Sequence, residues 1–241
     1  MKAAAIGAIA FLATAAAFAQ DALSPFVAEY DVRYGRMAVG TSRTELARAD
    51  DHWVIETTST ASGFARVIAS GTLRQRSEFD VTAEGVRPRH YSFDDGTSRT
   101  GRDISLAFDW QAAKVRGTAE DAPVEVAAVE GLQDAASMQA LVMALLRAGR
   151  EPGTVAMIEK DKVKYYRYAL VRQETLATAL GEVETVVYRS SRDGSDRETF
   201  TWHAPKLGFA AVQAEQRIAG KRGFQTYIRK FSAAPITSSG G

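Results

Sequence analysis

The sequence predicts an all-β protein, in which one large, curled antiparallel sheet or open barrel-like meander carries a single amphipathic helix on its concave face. Apolar and polar residues alternate along most of the chain, as in strands with one buried side. Turn residues recur at regular intervals between these segments. A parallel sheet would need a crossover connection, usually a helix, between each pair of strands. Only one segment has apolar residues at helical spacing. We therefore expect antiparallel pairing throughout.

Residues 1–19 are typical of a cleaved signal peptide. Lys2 precedes an alanine-rich run that is shorter than the roughly 20 residues of a membrane-spanning helix. Ala17 and Ala19 place small residues at the two positions that a signal peptidase reads. We expect cleavage after Ala19, no later transmembrane span, and a periplasmic protein, with secretion as the alternative. An uncleaved N-terminal anchor is the less favoured interpretation.

The rest of the chain is divided into predicted strands. Phe26, Ala28, Tyr30, Val32 and Tyr34 share one face of the first strand. Before the helix we expect further strands at 37–47, 52–59, 72–81, 86–93 and 104–110, with short ones near 114–116 and 124–127. After it we expect strands at 154–159, 164–174, 182–189, 197–202, 209–218 and 224–231. Residues 20–232 should form a single domain followed by a disordered tail at 233–241, and the segment 63–69 fits either a brief helix or an irregular crossover.

One helix is predicted over residues 135–148. Asp134 is a suitable N-cap, and Gly149 stands where a left-handed C-terminal residue belongs. The apolar stripe of this helix must cover part of the sheet, and it consists of Met138, Leu141, Val142, Leu145 and Leu146.

Composition and motifs argue against several function classes. The 241 residues are 46% hydrophobic, with 30 basic against 29 acidic side chains, a balance that gives no basic surface for nucleic acid. No cysteine is present to form a disulfide, a thiolate nucleophile or a lipid anchor. His52, His90 and His203 lack metal-ligand spacing. The segment 96–103 departs from a phosphate-binding loop where Lys is required. We therefore predict no catalytic residue, no metal and no cofactor.

The leading hypothesis is a non-enzymatic exported protein that binds an apolar or amphipathic ligand, such as a lipid or an acyl chain. A curled sheet of this size can enclose a cavity. Met138, Leu141, Val142 and Leu145 would then line it, although the same residues can equally fill a dry core.

Basic and aromatic residues alternate in the segment 160–168. Tyr166 and Tyr168 share one face of the predicted strand, where they could stack on a ligand or form an aromatic core face. The alternative function is therefore an envelope assembly or interaction factor that binds protein or glycan through this face or a sheet edge. A hydrolase of envelope polymers is less favoured, because no activated nucleophile is found.

Several landmarks occur in a characteristic order along the chain. They are Tyr30-Asp31-Val32-Arg33-Tyr34-Gly35 with Gly40, Arg87-Pro88 with Tyr91, Gln133-Asp134 with Ser137, Gly181, and Trp202 with Pro205. Over about residues 26–231, this pattern resembles the exported bacterial family known as domain of unknown function 3108. The resemblance implies an exported, predominantly β protein, and it supplies no established reaction or catalytic residues.

Overall fold

The computed structural model describes residues 22–63, 71–98 and 100–233. The predicted signal peptide at 1–19 lies outside these residues, as do 64–70 and all of the predicted tail except Ala233. Within the described part of the chain, no helix has the length and apolar character required to cross a membrane.

The described residues form one antiparallel sheet of fourteen strands. The strands are β1 (Phe26–Tyr34), β2 (Met37–Ala49), β3 (His52–Ala61), β4 (Thr72–Val81), β5 (Val86–Asp94), β6 (Ile104–Asp109), β7 (Lys114–Ala119), β8 (Ala122–Ala127), β9 (Thr154–Glu159), β10 (Lys162–Thr178), β11 (Gly181–Ser191), β12 (Arg197–Ala204), β13 (Ala210–Ile218) and β14 (Lys221–Ala233). The predicted fold class and antiparallel pairing are confirmed.

The two ends of the chain meet in the middle of the sheet. Strand β1 pairs with β14, from Phe26 opposite Ala233 to Tyr34 opposite Phe224, while all other pairings join strands that are consecutive in sequence. The outermost strands, β8 and β9, are not paired with each other, so the sheet is not closed into a barrel. The segment that connects β8 to β9 contains the helix.

The two faces of β2, β3 and β4 differ in burial because their side chains alternate. Leu46 and Ile55 face each other across β2 and β3 and are fully buried. We call the face that carries them the concave face. On the opposite, convex face, Arg76 forms ion pairs with Glu56 at 3.7 Å and with Glu78 at 2.7 Å. The convex face of these strands therefore carries charged side chains and faces the solvent.

The helix α1 (Ser137–Arg147) packs against β4 and β5 on one side. On another side, Val142 and Leu146 pack against Tyr188 of β11. Nine of its eleven residues are buried, so the sheet encloses more of the helix than one apolar stripe. A helix buried in this way contributes to the core from several faces.

Asp134 and Gly149, the residues expected at the two ends of the helix, flank it on either side. The Asp134 carbonyl accepts a bond from the Met138 N–H at 3.0 Å, and its carboxylate accepts the N–H groups of Ala136 and Ser137 at 2.8 Å each. At the other end Gly149 adopts φ 68°, the left-handed conformation that glycine favours. The helix is slightly shorter than the predicted 135–148: its N-cap residue is Ala136 and not Asp134, whose carboxylate instead holds the turn that precedes the helix.

The hairpin of β10 and β11 is longer than the sequence predicted. Within this hairpin, β9 pairs with Lys162–Arg167 of β10, and β12 pairs with Val186–Ser191 of β11. The remainder of this hairpin extends beyond both neighbours, and Leu176 and Val183, which face each other in it, pack against the main core. The extended hairpin therefore adds a further layer to the core.

Candidate functional site

Burial changes along the concave face from one end of the strands to the other. At the end near the helix, Ala28 and Leu46 are 0% exposed and Ile55 is 1% exposed. Four residues further along the same face of each strand, Val32, Ser42 and Ser59 are only half-buried. We call these two regions the closed end and the open end. The core thus fills only part of the curl.

Neutral hydrogen-bonding side chains occupy the middle of the open end. The Thr44 and Thr57 hydroxyls are 2.9 Å apart, the Ser59 hydroxyl donates to Ser42 at 3.0 Å, and Gln75 Nε2 donates to the Tyr91 hydroxyl at 3.1 Å. We call the following residues the hydroxyl belt: Ser42, Thr44, Thr57, Ser59 and Gln75. They lie on three neighbouring strands, and with about 4.8 Å between strands the belt is about 10 Å wide.

Exposed apolar side chains lie further along β1, β2 and β14 than the belt, at the outer limit of the open end. Tyr34 lies opposite both Met37 and Phe224, and the Tyr34 and Phe224 ring centroids are 5.0 Å apart. The exposed fractions are 48% for Tyr34, 65% for Met37 and 53% for Phe224. We call these three residues the aromatic rim. A cluster of large exposed apolar groups is typical of a binding surface.

The other side of the belt is also apolar. Leu73 lies opposite Ser59, Phe93 lies opposite Gln75, and Ile104 lies opposite Phe93. All three apolar side chains are half-buried. The open end is therefore a trough with a polar middle and apolar borders.

Gly40 allows β2 and β3 to approach closely at the open end. A Cβ atom at this position would lie 2.3 Å from the Thr60 carbonyl oxygen, which is far too short for a contact. Any side chain here would push apart the two strands that carry most of the hydroxyl belt.

The helix residues predicted to line a ligand cavity are packed within the core. Met138, Leu141, Val142 and Leu145 are 2–8% exposed. Met138, Leu141 and Leu145 belong to the main core, whereas Val142 packs with Leu146 and Tyr188. Their role as ligand-lining residues stays a prediction.

The two predicted tyrosines are separated by their environments. Tyr168 packs against the helix cluster of Val142 and Leu146. Tyr166 donates a hydrogen bond to Glu159, and burial, together with this carboxylate, raises the pKa of Tyr166 to about 12. Tyr165, on the opposite face of the strand, is 59% exposed. The structure therefore brings Tyr168 together with the helix residue Val142, and Tyr166 with a carboxylate.

A buried polar cluster joins the helix to the sheet. The Ser77 hydroxyl of β4 donates to the Asp134 carboxylate at 2.6 Å, and both residues are fully buried. Burial raises the pKa of Asp134 to about 6, although the Ser77, Ser137 and Ala136 donors act in the opposite direction. Next to it, Gln133 donates to the Val86 carbonyl at 2.8 Å and leaves its Oε1 atom buried without a partner. This cluster fixes the position of the helix.

His203 is a second buried titratable group. Its Nδ1 atom lies 2.9 Å from the Phe209 carbonyl oxygen, which requires a proton on Nδ1. Burial lowers the pKa of His203 to about 4, so the ring is neutral at pH 7.

Three carboxylates, those of Asp94, Asp95 and Asp103, lie within 4.8 Å of one another in the connection from β5 to β6. Asp94 accepts the Gly96 N–H at 2.7 Å, and Asp95 accepts the Thr97 N–H at 2.9 Å. These bonds hold the turn. The described part of the segment 96–103 thus connects β5 to β6.

A polar depression also lies on the convex face. Among its lining residues, Arg76 pairs with Glu78 at 2.7 Å and Arg116 pairs with Glu125 at 3.0 Å. Because both cations are already neutralised, we assign the candidate site to the concave trough.

Neither the hydroxyl belt nor the aromatic rim was predicted from the sequence. A signal was present, since Ser42 and Thr44 alternate on one predicted strand, as do Thr57 and Ser59 on the next. A hairpin between these strands would have placed the four hydroxyls on one face.

Comparison with solved structures supports the fold. The crystal structure of a beta-barrel-like protein of domain of unknown function DUF1849 from Brucella abortus is similar, with a TM-score of 0.57 at 10% identity, covering 88% of this chain and 98% of that one. A protein from Parabacteroides distasonis, described only provisionally as a lipoprotein, gives a TM-score of 0.37 at 9% identity, covering 89% of this chain and 98% of that one. The second value is too low to support an argument.

Comparison with sequences gives the family. No curated protein matches this chain. The profile of the family described as protein of unknown function DUF3108 matches residues 29–220, which include both the hydroxyl belt and the helix. The resemblance noted in the sequence is thereby confirmed, and the chain belongs to the DUF3108 family.

Proposed function

We propose that this protein is an exported, non-enzymatic binding protein that holds an amphipathic ligand in the trough at the open end of its concave face. The observation that carries the proposal is the burial gradient: the same face is buried near the helix and only half-buried at Ser42, Thr57, Ser59 and Gln75 of the hydroxyl belt. A concave site with a few polar groups among apolar ones is the usual form of a small-molecule site.

The aromatic rim supports an apolar part in the ligand. Three large apolar side chains that stay about half exposed leave apolar surface in contact with water. Burying the remaining half of Phe224 under a ligand would contribute about 1 kcal/mol to binding. The preference for an apolar or amphipathic ligand therefore follows from the rim and not from the helix residues, which are already packed.

Two further observations support a non-enzymatic exported role. The hydroxyls of the belt bond to one another, which differs from the nucleophile and base arrangement that activates a hydroxyl for catalysis. The signal peptide expected at 1–19 is consistent with export to the periplasm. Binding to an envelope protein or glycan remains the alternative.

Native mass spectrometry of the full chain, expressed with export in a two-membrane bacterium, tests the proposal. We expect a bound small molecule that is retained by the native protein and lost on denaturation. Phe224→Ser should reduce its occupancy, whereas Leu180→Ser, at an apolar residue that is 38% exposed outside the trough, should not. A protein that carries no ligand, and binds none from an added envelope lipid extract, would refute the proposal.

A further inference from the structure

We infer that the ligand of the trough is a neutral glycoside, with an uncharged, hydroxyl-rich head group on the hydroxyl belt and an alkyl tail along the aromatic rim; this inference rests on the proposed function. It follows from the charge, the hydrogen-bonding capacity and the borders of the site.

The concave face of β2, β3 and β4 carries no charged side chain around the belt, and the Asp134 carboxylate that bonds to Ser77 lies at the closed end. The register places Gly40, Ser42, Thr44 and Leu46 on this face of β2, and Ile55, Thr57, Ser59 and Ala61 on this face of β3, while β4 adds Leu73, Gln75 and Ser77. All of these described residues are neutral, whereas Arg43, Glu45, Glu56, Arg74 and Arg76 lie on the convex face. An anionic head group on the belt would lose water without gaining a counter-charge.

The belt retains hydrogen-bonding capacity for a ligand. A hydroxyl has one donor and two acceptor sites. The Ser59 hydroxyl donates its proton to Ser42, so the Ser42 hydroxyl proton is not used in this bond. In the Thr44–Thr57 pair, likewise, only one of the two protons lies between the oxygens. Hydroxyls that both donate and accept match a sugar, whose hydroxyls do the same.

The borders fix how such a ligand would lie. On β1, Tyr30 lies opposite Ser42 of the belt, and Val32 and Tyr34 follow on the same face, two and four residues further along. A tail that starts at the belt therefore meets apolar side chains on its way to Met37 and Phe224 at the rim. The polar head remains over the belt, where Thr44 is buried and the other four residues are half-buried.

Isothermal titration of the full chain with three octyl compounds below their micelle-forming concentrations tests the inference. The compounds are octyl glucoside, octyl phosphate and octanoate. We expect octyl glucoside to bind at least about tenfold more tightly than either anion, because the belt offers no cation. Equal binding of all three, or tighter binding of an anion, would overturn the inference and leave the proposed function intact. Binding of none would count against both.

Paired variants locate the head group. Ser42→Ala with Ser59→Ala removes both partners of one hydrogen bond, so it should leave stability nearly unchanged. The affinity for octyl glucoside should fall by about tenfold, whereas the affinity for octanol should stay the same. The matched control is Ser92→Ala with Ser105→Ala, a serine pair on neighbouring strands of the convex face. Equal effects of the two pairs on the affinity for octyl glucoside would contradict the assignment of the head group to the belt. Phe224→Ser should lower the affinity for all octyl ligands by the same factor.

Discussion

Two buried titratable groups should make the stability of this protein depend on pH in opposite directions. Burial raises the pKa of Asp134 from its ordinary value of 3.8 to about 6, and burial lowers the pKa of His203 from 6.5 to about 4. Each change corresponds to about 3 kcal/mol. Ser77 and Ser137 bond to Asp134, and the Tyr91 hydroxyl has a pKa far above this range, so none of these neighbours titrates between pH 4 and 7.

The signs follow from proton binding. Between pH 6 and 4 the folded protein binds a proton at Asp134 before the unfolded chain does, so this group adds stability as the pH falls. At His203 the unfolded chain binds a proton from about pH 6.5 downward while the folded ring stays neutral, so this group removes stability over nearly the same range. In the native sequence the two contributions largely cancel.

Single substitutions should separate the two contributions. Asp134→Asn keeps an oxygen for the N–H groups of the helix and removes the titration. Between pH 7 and pH 4 the free energy of unfolding of this variant should therefore fall by about 3 kcal/mol compared with that of the native protein. His203→Asn keeps an N–H for the Phe209 carbonyl. Its free energy of unfolding should rise by about 3 kcal/mol from pH 7 to pH 4 compared with that of the native protein. Urea unfolding followed by tryptophan fluorescence measures both. Parallel pH profiles for the three proteins would refute the reasoning.

Three further substitutions test the packing. Gly40→Ala should lower the free energy of unfolding by about 1–3 kcal/mol in thermal denaturation, because the new Cβ would collide with the Thr60 carbonyl oxygen. Gly101→Ala is the control and should change this free energy little, because its Cβ would have one side-chain neighbour at 3.5 Å. Leu141→Ala should cost about 2–5 kcal/mol in urea if this side chain fills the core, and a much smaller loss would indicate a cavity. Gly149→Ala should cost about 1 kcal/mol, as read from the same urea curves, because φ there is 68°, and an unchanged midpoint would contradict the cap.

The strands and the helix ends were predictable because their signals are local. Alternation along Phe26–Tyr34 and Thr72–Val81 gave both strands with the bounds that the structure has. Asp134 and Gly149 marked the ends of the helix through hydrogen bonds to residues only a few positions away. Local periodicity needs no knowledge of the partner strand.

Long-range pairing was less accessible. Nothing in the pattern of β1 indicates that it pairs with β14 at the other end of the chain. The extended hairpin was predicted too short because Thr175 and Ala177 alternate weakly with their neighbours. The hydroxyl belt was missed because strand faces were judged by their apolar residues, whereas Ser42 and Ser59 form part of the site only after β2 and β3 pair.

The accessibility of the concave face at its two ends tests the account most directly. The native sequence has no cysteine, so Ser59→Cys and Ser77→Cys each introduce a single thiol, one at the open end and one at the closed end. Under native conditions we expect the thiol at position 59 to react with a water-soluble maleimide at least roughly a hundredfold faster than the thiol at position 77, whose exposure requires the core to open. Equal rates, or a faster reaction at position 77, would contradict a trough that is filled near the helix and accessible at the hydroxyl belt.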